Sequence, residues 1–135
     1  MDAPTQEYAL LLGKYGCYFS VLLKIANPKT HAINQIEAYD IAIKNKWMDS
    51  DCYVREPGKI IEHFSNYKKV EVRKEFNLAY IPEENEVLIG CFVLNKETHF
   101  VLLDKNKKVL WDPLGISNTV KNGKLESYRI VKLVA

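Results

Sequence analysis

The feature that most restricts the fold is a change of hydrophobic period near the middle of the chain. Before about residue 67, apolar residues recur every three or four positions. Tyr18, Val21, Leu22, Ile25 and Ala26 form a helical stripe after Gly16, a helix breaker. That helix should stop near Asn27-Pro28, because the residue before a proline is pushed out of the α region. Ala32, Ile36, Tyr39, Ile43 and Trp47 make a second apolar face, on a helix predicted to begin after Thr30. Met48 to Glu56 reads as a loop. Pro57 then opens a third helix with Ile60, Ile61 and Phe64 pointing inward. The short run Tyr8 to Leu12, ended by Gly13, fits a buried strand or one helical turn, and periodicity does not choose between them.

After about residue 68 the period shortens. Val70-Glu71-Val72 alternates, and Leu78 to Ile81 is a brief apolar run cut off by Pro82. Val87 to Leu94 is apolar throughout, as a strand at the centre of a sheet would be. Thr98 to Leu103 and Lys108 to Trp111 flank Asp104-Lys105-Asn106-Lys107, a hairpin turn. Asn122-Gly123 is a further turn signal before the alternating stretch Tyr128 to Val134. Helices first and strands later predict an α+β fold, N-terminal helices packed on a C-terminal antiparallel sheet. At 135 residues the expectation is a single domain, with a helical half over about 1–67 and a sheet half over about 68–135.

Composition removes several classes of function. A net charge of +2, with Lys and Arg scattered among Asp and Glu, gives no basic stripe for nucleic acid. No apolar run approaches 18 residues, so no membrane span is expected. The stretch Met1 to Glu7 is acidic and lacks the basic start of a signal peptide. Three cysteines without paired spacing argue against a disulfide framework, and a reducing cytoplasm is the default location. His31 and His63 share no ligand spacing with Cys52, so no metal is expected. The six glycines are dispersed and none follows a phosphate-loop pattern, so no cofactor is implied. The oligomeric state is left open.

Chemistry concentrates at three positions. Cys17 stands at the first turn of the first helix, where backbone N–H groups and the positive dipole end favour a thiolate, the nucleophilic form. His99 follows 82 residues later and opens a strand, and Asp112 ends the next one. The turn at 104–107 brings the start of one strand beside the end of the other, making His99 and Asp112 cross-strand neighbours. A carboxylate bound to one imidazole nitrogen fixes the tautomer and leaves the other to activate a thiol. Each residue also has a plainer reading: a core cysteine, a strand-end histidine, and the first residue of an Asp-Pro-Leu-Gly turn. Cys91 reads as core, and Cys52 as a loop thiol whose neighbours Asp49 and Asp51 raise its pKa.

A helix-borne Cys17, then His99-Phe100-Val101-Leu102-Leu103, then Trp111-Asp112-Pro113-Leu114-Gly115, resembles the papain-like cysteine peptidases. Within them it looks most like the bacterial branch that cleaves double-glycine leader peptides. It is also similar to small papain-like proteins of phages and plasmids, through Lys46 to Val54 and Thr119 to Leu125. The resemblance implies a papain-like fold, with Cys17 as nucleophile, His99 as general base and acid, and Asp112 orienting His99. It implies thiol-dependent hydrolysis of an amide bond in a peptide or protein substrate; the same groups serve deamidases and acyltransferases. The pattern departs from the family at Leu11, where such enzymes carry a glutamine that donates to the oxyanion, a contact worth about 10²–10³ in rate. Gln6 and the Tyr15 hydroxyl are the substitutes, and Tyr18, Trp47, Tyr53 and Trp111 are candidates to line a substrate groove, with Tyr18 narrowing it. The departure also admits another reading, a catalytically impaired papain-like binding protein of phage or plasmid origin acting on a host partner.

Overall fold

The computed structural model describes residues 16–27, 34–115 and 117–135. The chain divides into two compact units, 1–66 and 67–135. Among the described residues the first holds three helices: α1 (Cys17–Ala26), α2 (Gln35–Lys44) and α3 (Pro57–Phe64). The second holds β1 (Lys69–Glu75), β2 (Glu86–Leu94), β3 (Glu97–Leu103), β4 (Val109–Trp111), a short helix α4 (Asn118–Asn122) and β5 (Lys124–Val134). The fold is therefore α+β, helices followed by a five-stranded antiparallel sheet.

In the helical unit α1 stops where Pro28 requires, at Asn27, whose N–H still reaches Leu23 O. It is buried almost all round, through Phe19 and Leu23 as well as Val21, Leu22, Ile25 and Ala26, while Tyr18 is only half-buried. It packs on α3, where Ile60 and Ile61 are fully buried behind Pro57 in the first turn. Asn34 caps α2 by accepting from the N–H groups of Ile36 and Glu37. The buried face of α2 is Ala38, Tyr39 and Ala42, which corrects the expected stripe. Ile36 and Ile43 are half-buried, Ala32 lies outside the described residues, and Trp47 lies beyond the helix end. Two alanines on one face permit close packing, and they outweigh the larger side chains that define the apolar pattern.

The sheet runs β1-β5-β2-β3-β4. β2 is central and buried along most of its length, as its unbroken apolar run requires. One sheet face carries a cluster of Leu88, Val101, Leu103, Tyr128 and Ile130, with Tyr80, Phe92, Val120 and Leu125 packed against it. The 104–107 turn is a tight hairpin: Asp104 Oδ1 accepts from the N–H of Asn106 and Lys108, and Lys107 adopts φ 66°. Leu78 to Ile81, the brief apolar run before Pro82, is a loop. Its backbone is held by side chains, because the Tyr128 hydroxyl and Lys107 Nζ both donate to Leu78 O. β5 begins at Lys124, four residues earlier than the alternation suggests. α4 carries no apolar period; its signal is Ser117, whose hydroxyl accepts from Val120 N.

Candidate functional site

His99 is placed by β3. Strand alternation puts it on the same face as Val101 and Leu103, at the margin of the apolar cluster, with Phe92 as its cross-strand partner on β2. It is 4 % exposed. Its Nε2 lies 2.6 Å from Asp112 Oδ1, and Asp112 is 8 % exposed. The register refines the expected pairing. Trp111 pairs with Leu102, so Asp112 falls beside Val101, one diagonal step from His99 on the same face. The diagonal is short enough for a direct hydrogen bond.

Asp112 serves the turn as well as the imidazole. Its Oδ1 accepts from Leu114 N at 2.9 Å, its Oδ2 from Ser117 N at 3.3 Å, and its carbonyl from Gly115 N at 2.9 Å. Gly115 sits at φ +78°, a conformation costly for a residue with a Cβ. The Asp-Pro-Leu-Gly turn and the histidine partner are thus one carboxylate with two roles. Burial alone would raise the Asp112 pKa. The bonds from His99, Leu114 and Ser117 outweigh it and hold the carboxyl below the ordinary carboxylate value. Ser117, which caps α4, is the supporting residue that motif reading misses; it is buried and donates from its backbone, so only its capping pattern marks it.

Cys17 is the first residue of α1 in the helical unit, half-buried, behind an N-cap glycine that has no side chain to cover the first turn. His99 and Asp112 belong to the sheet unit. Gln6 and Tyr15 lie outside the described residues. Cys91 is buried in β2, as expected of a core cysteine. Cys52 is buried as well, at φ 70°, and its thiol is pushed up to about 11 by burial first, then by the charges of Asp51 and Cys17. Asp49 is not among the causes; its carboxylate takes a two-pronged hydrogen bond from Arg55.

The groove candidates separate. Trp47 is half-buried with its ring 5.3 Å from that of His63, which meets Phe64 edge-on at 4.7 Å. Tyr53 is 61 % exposed under the Arg55 guanidinium, and Tyr18 and Trp111 are half-buried. An open depression of about 720 Å³ in the helical unit is lined by Ile43, Lys46, Met48, Asp49, Ser50, Asp51 and Arg55, and includes none of these aromatics. Among the described residues no three His, Cys, Asp or Glu side chains are grouped to hold a metal ion. No helix among them is long and apolar enough to cross a membrane.

Residues 5–133 match the family DUF261, described as a protein of unknown function. The chain belongs to the DUF261 family. The matched span contains Cys17, His99 and Asp112 together with every described element except the last residue of β5. No curated protein and no solved structure matches this DUF261 chain.

Proposed function

We propose that this DUF261 protein is a papain-like thiol hydrolase of amide bonds, with Cys17 as nucleophile, His99 as proton carrier and Asp112 as the residue that positions His99. The observation that supports the reading is the buried His99–Asp112 pair. A carboxylate on Nε2 keeps the ring proton there and leaves the basic lone pair on Nδ1, the atom that takes the thiol proton. The Cys17 thiolate then attacks the carbonyl carbon, and the tetrahedral adduct collapses to a thioester as the imidazolium returns its proton to the departing amine. Water, deprotonated by the same nitrogen, hydrolyses the thioester and restores the thiol. The resemblance to leader peptidases points to a peptide substrate cleaved after glycine or another small residue.

The test is site-resolved alkylation with iodoacetamide, read by mass spectrometry on the native protein. Cys17 should be labelled far faster than Cys52 or Cys91, both buried. Exposure alone could produce that difference, so the deciding measurement is His99→Ala. The substitution should slow labelling of Cys17 by at least about tenfold and leave Cys52 unchanged. Equal Cys17 rates in wild type and His99→Ala would end the hydrolase reading.

A further inference from the structure

We propose that Cys52 is a resolving cysteine for Cys17: once a peroxide oxidises Cys17, the two close a reversible disulfide inside the helical unit. Both are free thiols, and both belong to that unit.

The chain turns Cys52 inward. Residues 48–54 form a tight hairpin in which Met48 bridges Val54, Asp49 N donates to Tyr53 O at 2.9 Å and Cys52 N donates to Asp49 O at 2.9 Å. Asp51 and Tyr53 at its tip are exposed, whereas Cys52 between them is 5 % exposed. Cys52 holds φ 70°, a region that a residue with a Cβ rarely adopts, and such strain persists only where the surroundings enforce it. The conformation keeps one thiol inside while its neighbours face solvent.

Helix α2 sets what that thiol faces. Gln35 and Tyr39 stand one turn apart on one side of the helix, about 6 Å along its axis. Gln35 Nε2 donates to Ser20 Oγ, and Ser20 shares a face of α1 with Cys17, three residues before it. The Tyr39 hydroxyl donates at 2.5 Å to the carbonyl of Ser50, two residues before Cys52. One side of α2 therefore holds the first turn of α1 and the 48–54 hairpin next to each other. The charge of Cys17 acts on Cys52 accordingly, as one of the causes that push its thiol up to about 11.

The reaction needs a peroxide as oxidant. Cys17 is half-buried, so a small peroxide reaches it. Its thiolate attacks one peroxide oxygen, the O–O bond breaks, and a sulfenic acid forms as hydroxide leaves. The Cys52 thiolate then attacks the Cys17 sulfur; the S–S bond forms, the S–O bond breaks, and a second hydroxide leaves. Each sulfur gives up one electron, the peroxide takes both, and the two thiol protons convert the hydroxides to water. The order is built in, because oxidation of Cys17 removes its negative charge and with it one of the causes that keep Cys52 protonated. The disulfide withholds Cys17 from other chemistry and from irreversible oxidation, and a thiol reductant releases it. Where thiols are kept reduced, bonds of this kind are transient and redox-sensing. The inference shares Cys17 with the hydrolase reading but needs neither His99 nor turnover.

Hydrogen peroxide at about 0.1–1 mM on the native full chain, followed by alkylation and peptide mass spectrometry, tests it. A Cys17–Cys52 linked peptide should appear, and dithiothreitol should restore both thiols. At the exposure that fully links the wild type, Cys17→Ser should leave Cys52 a thiol. In Cys52→Ser, Cys17 should pass to the sulfinic acid at least about fivefold faster, beyond rescue by dithiothreitol. A wild type whose Cys17 stays a thiol, or reaches the sulfinic acid with no linked peptide, overturns the proposal. A link that forms only in urea, or a Cys52→Ser variant as recoverable as wild type, overturns it as well. His99→Ala separates the two readings. A link formed in that variant, with Cys17 alkylation unchanged from wild type, ends the hydrolase reading and keeps this one; His99-dependent alkylation with no link in wild type does the reverse.

Discussion

Removing the Asp112 carboxylate should cost the fold much more than replacing it with an amide, and the difference can be worked from its contacts. Asp112→Ala deletes the acceptor of three donors: His99 Nε2 at 2.6 Å, Leu114 N at 2.9 Å and Ser117 N at 3.3 Å. Leu114 is exposed and its N–H turns to water. His99 and Ser117 are buried, and each unsatisfied buried donor costs about 1–3 kcal/mol. Adding the lost pairing gives about 3–5 kcal/mol, the range found when one partner of a buried pair is removed. For a chain of this size that corresponds to a fall in Tm of about 10–20 °C. Asp112→Asn keeps an oxygen for His99 and Leu114 and turns its NH2 toward Ser117, the longest contact, so about 1–2 kcal/mol is expected.

Acid provides a second reading of the same contacts. The folded pKa of Asp112 lies below the ordinary value. Its stabilisation is therefore complete above about pH 4, where the unfolded carboxyl is ionised, and is lost as pH falls through the lower folded value. Urea titrations of wild type and both variants, at neutral pH and in steps from about pH 5 to 2, measure both effects. The gap between wild type and Asp112→Asn should close toward the acid end. If the alanine variant unfolds within about 0.5 kcal/mol of wild type, the reasoning about unsatisfied donors fails. If the gap persists unchanged to pH 2, the charge is not what stabilises the turn.

Two further outcomes follow from positions outside the pair. Cys52, with its thiol near 11, should be alkylated in the native protein at a rate that climbs about tenfold per pH unit from pH 8 to 10; a plateau near pH 8.5 would contradict the burial argument. Gly123→Ala should lower stability by about 2–4 kcal/mol, read as a drop in Tm, because the added Cβ would lie 2.2 Å from Thr119 O and 2.6 Å from Val93 O, both backbone atoms; an unchanged Tm would show that the α4–β2 approach is looser than described.

What could be read in the residues, and what could not, divides along physical lines. Pro28, Pro57 and the Asp104 turn act locally, through φ and ψ or through one side chain bonding its own backbone, so they place element ends without knowledge of neighbours. The His99–Asp112 bond was legible for a related reason: a short hairpin converts sequence separation into proximity. Its diagonal geometry was not, since the register shift between Leu102 and Leu103 leaves no mark in composition. The buried face of α2 departs from the apolar stripe because Ala38 and Ala42 carry little hydrophobic weight but permit close approach. The brief apolar run Leu78 to Ile81 does not reveal that it is a loop, because what fastens it is Tyr128 and Lys107, residues 50 and 29 positions away. α4 depends on one capping serine and five residues, too few for any periodicity to register.

The acid behaviour of the sheet unit should be governed by two carboxylates that share one design. Glu86, like Asp112, is buried, and burial alone would raise its pKa; hydrogen bonds from Glu83 N, the Tyr80 hydroxyl and Arg73 turn the balance the other way. Both groups are ionised where the medium disfavours charge because the chain aims several donors at each. Unfolding returns them to water and to ordinary pKa values, so the unfolded chain takes up protons first as acid is added. Asp49 and Glu71 also titrate low, through Arg55 and Lys69, but they stand in solvent, where screening leaves little dependence of folding on their charge. Acid should therefore loosen the turn that holds His99 and the loop that Tyr80 anchors before it disturbs the exposed pairs. Any activity that depends on an oriented imidazole should be lost on the acid side with that turn.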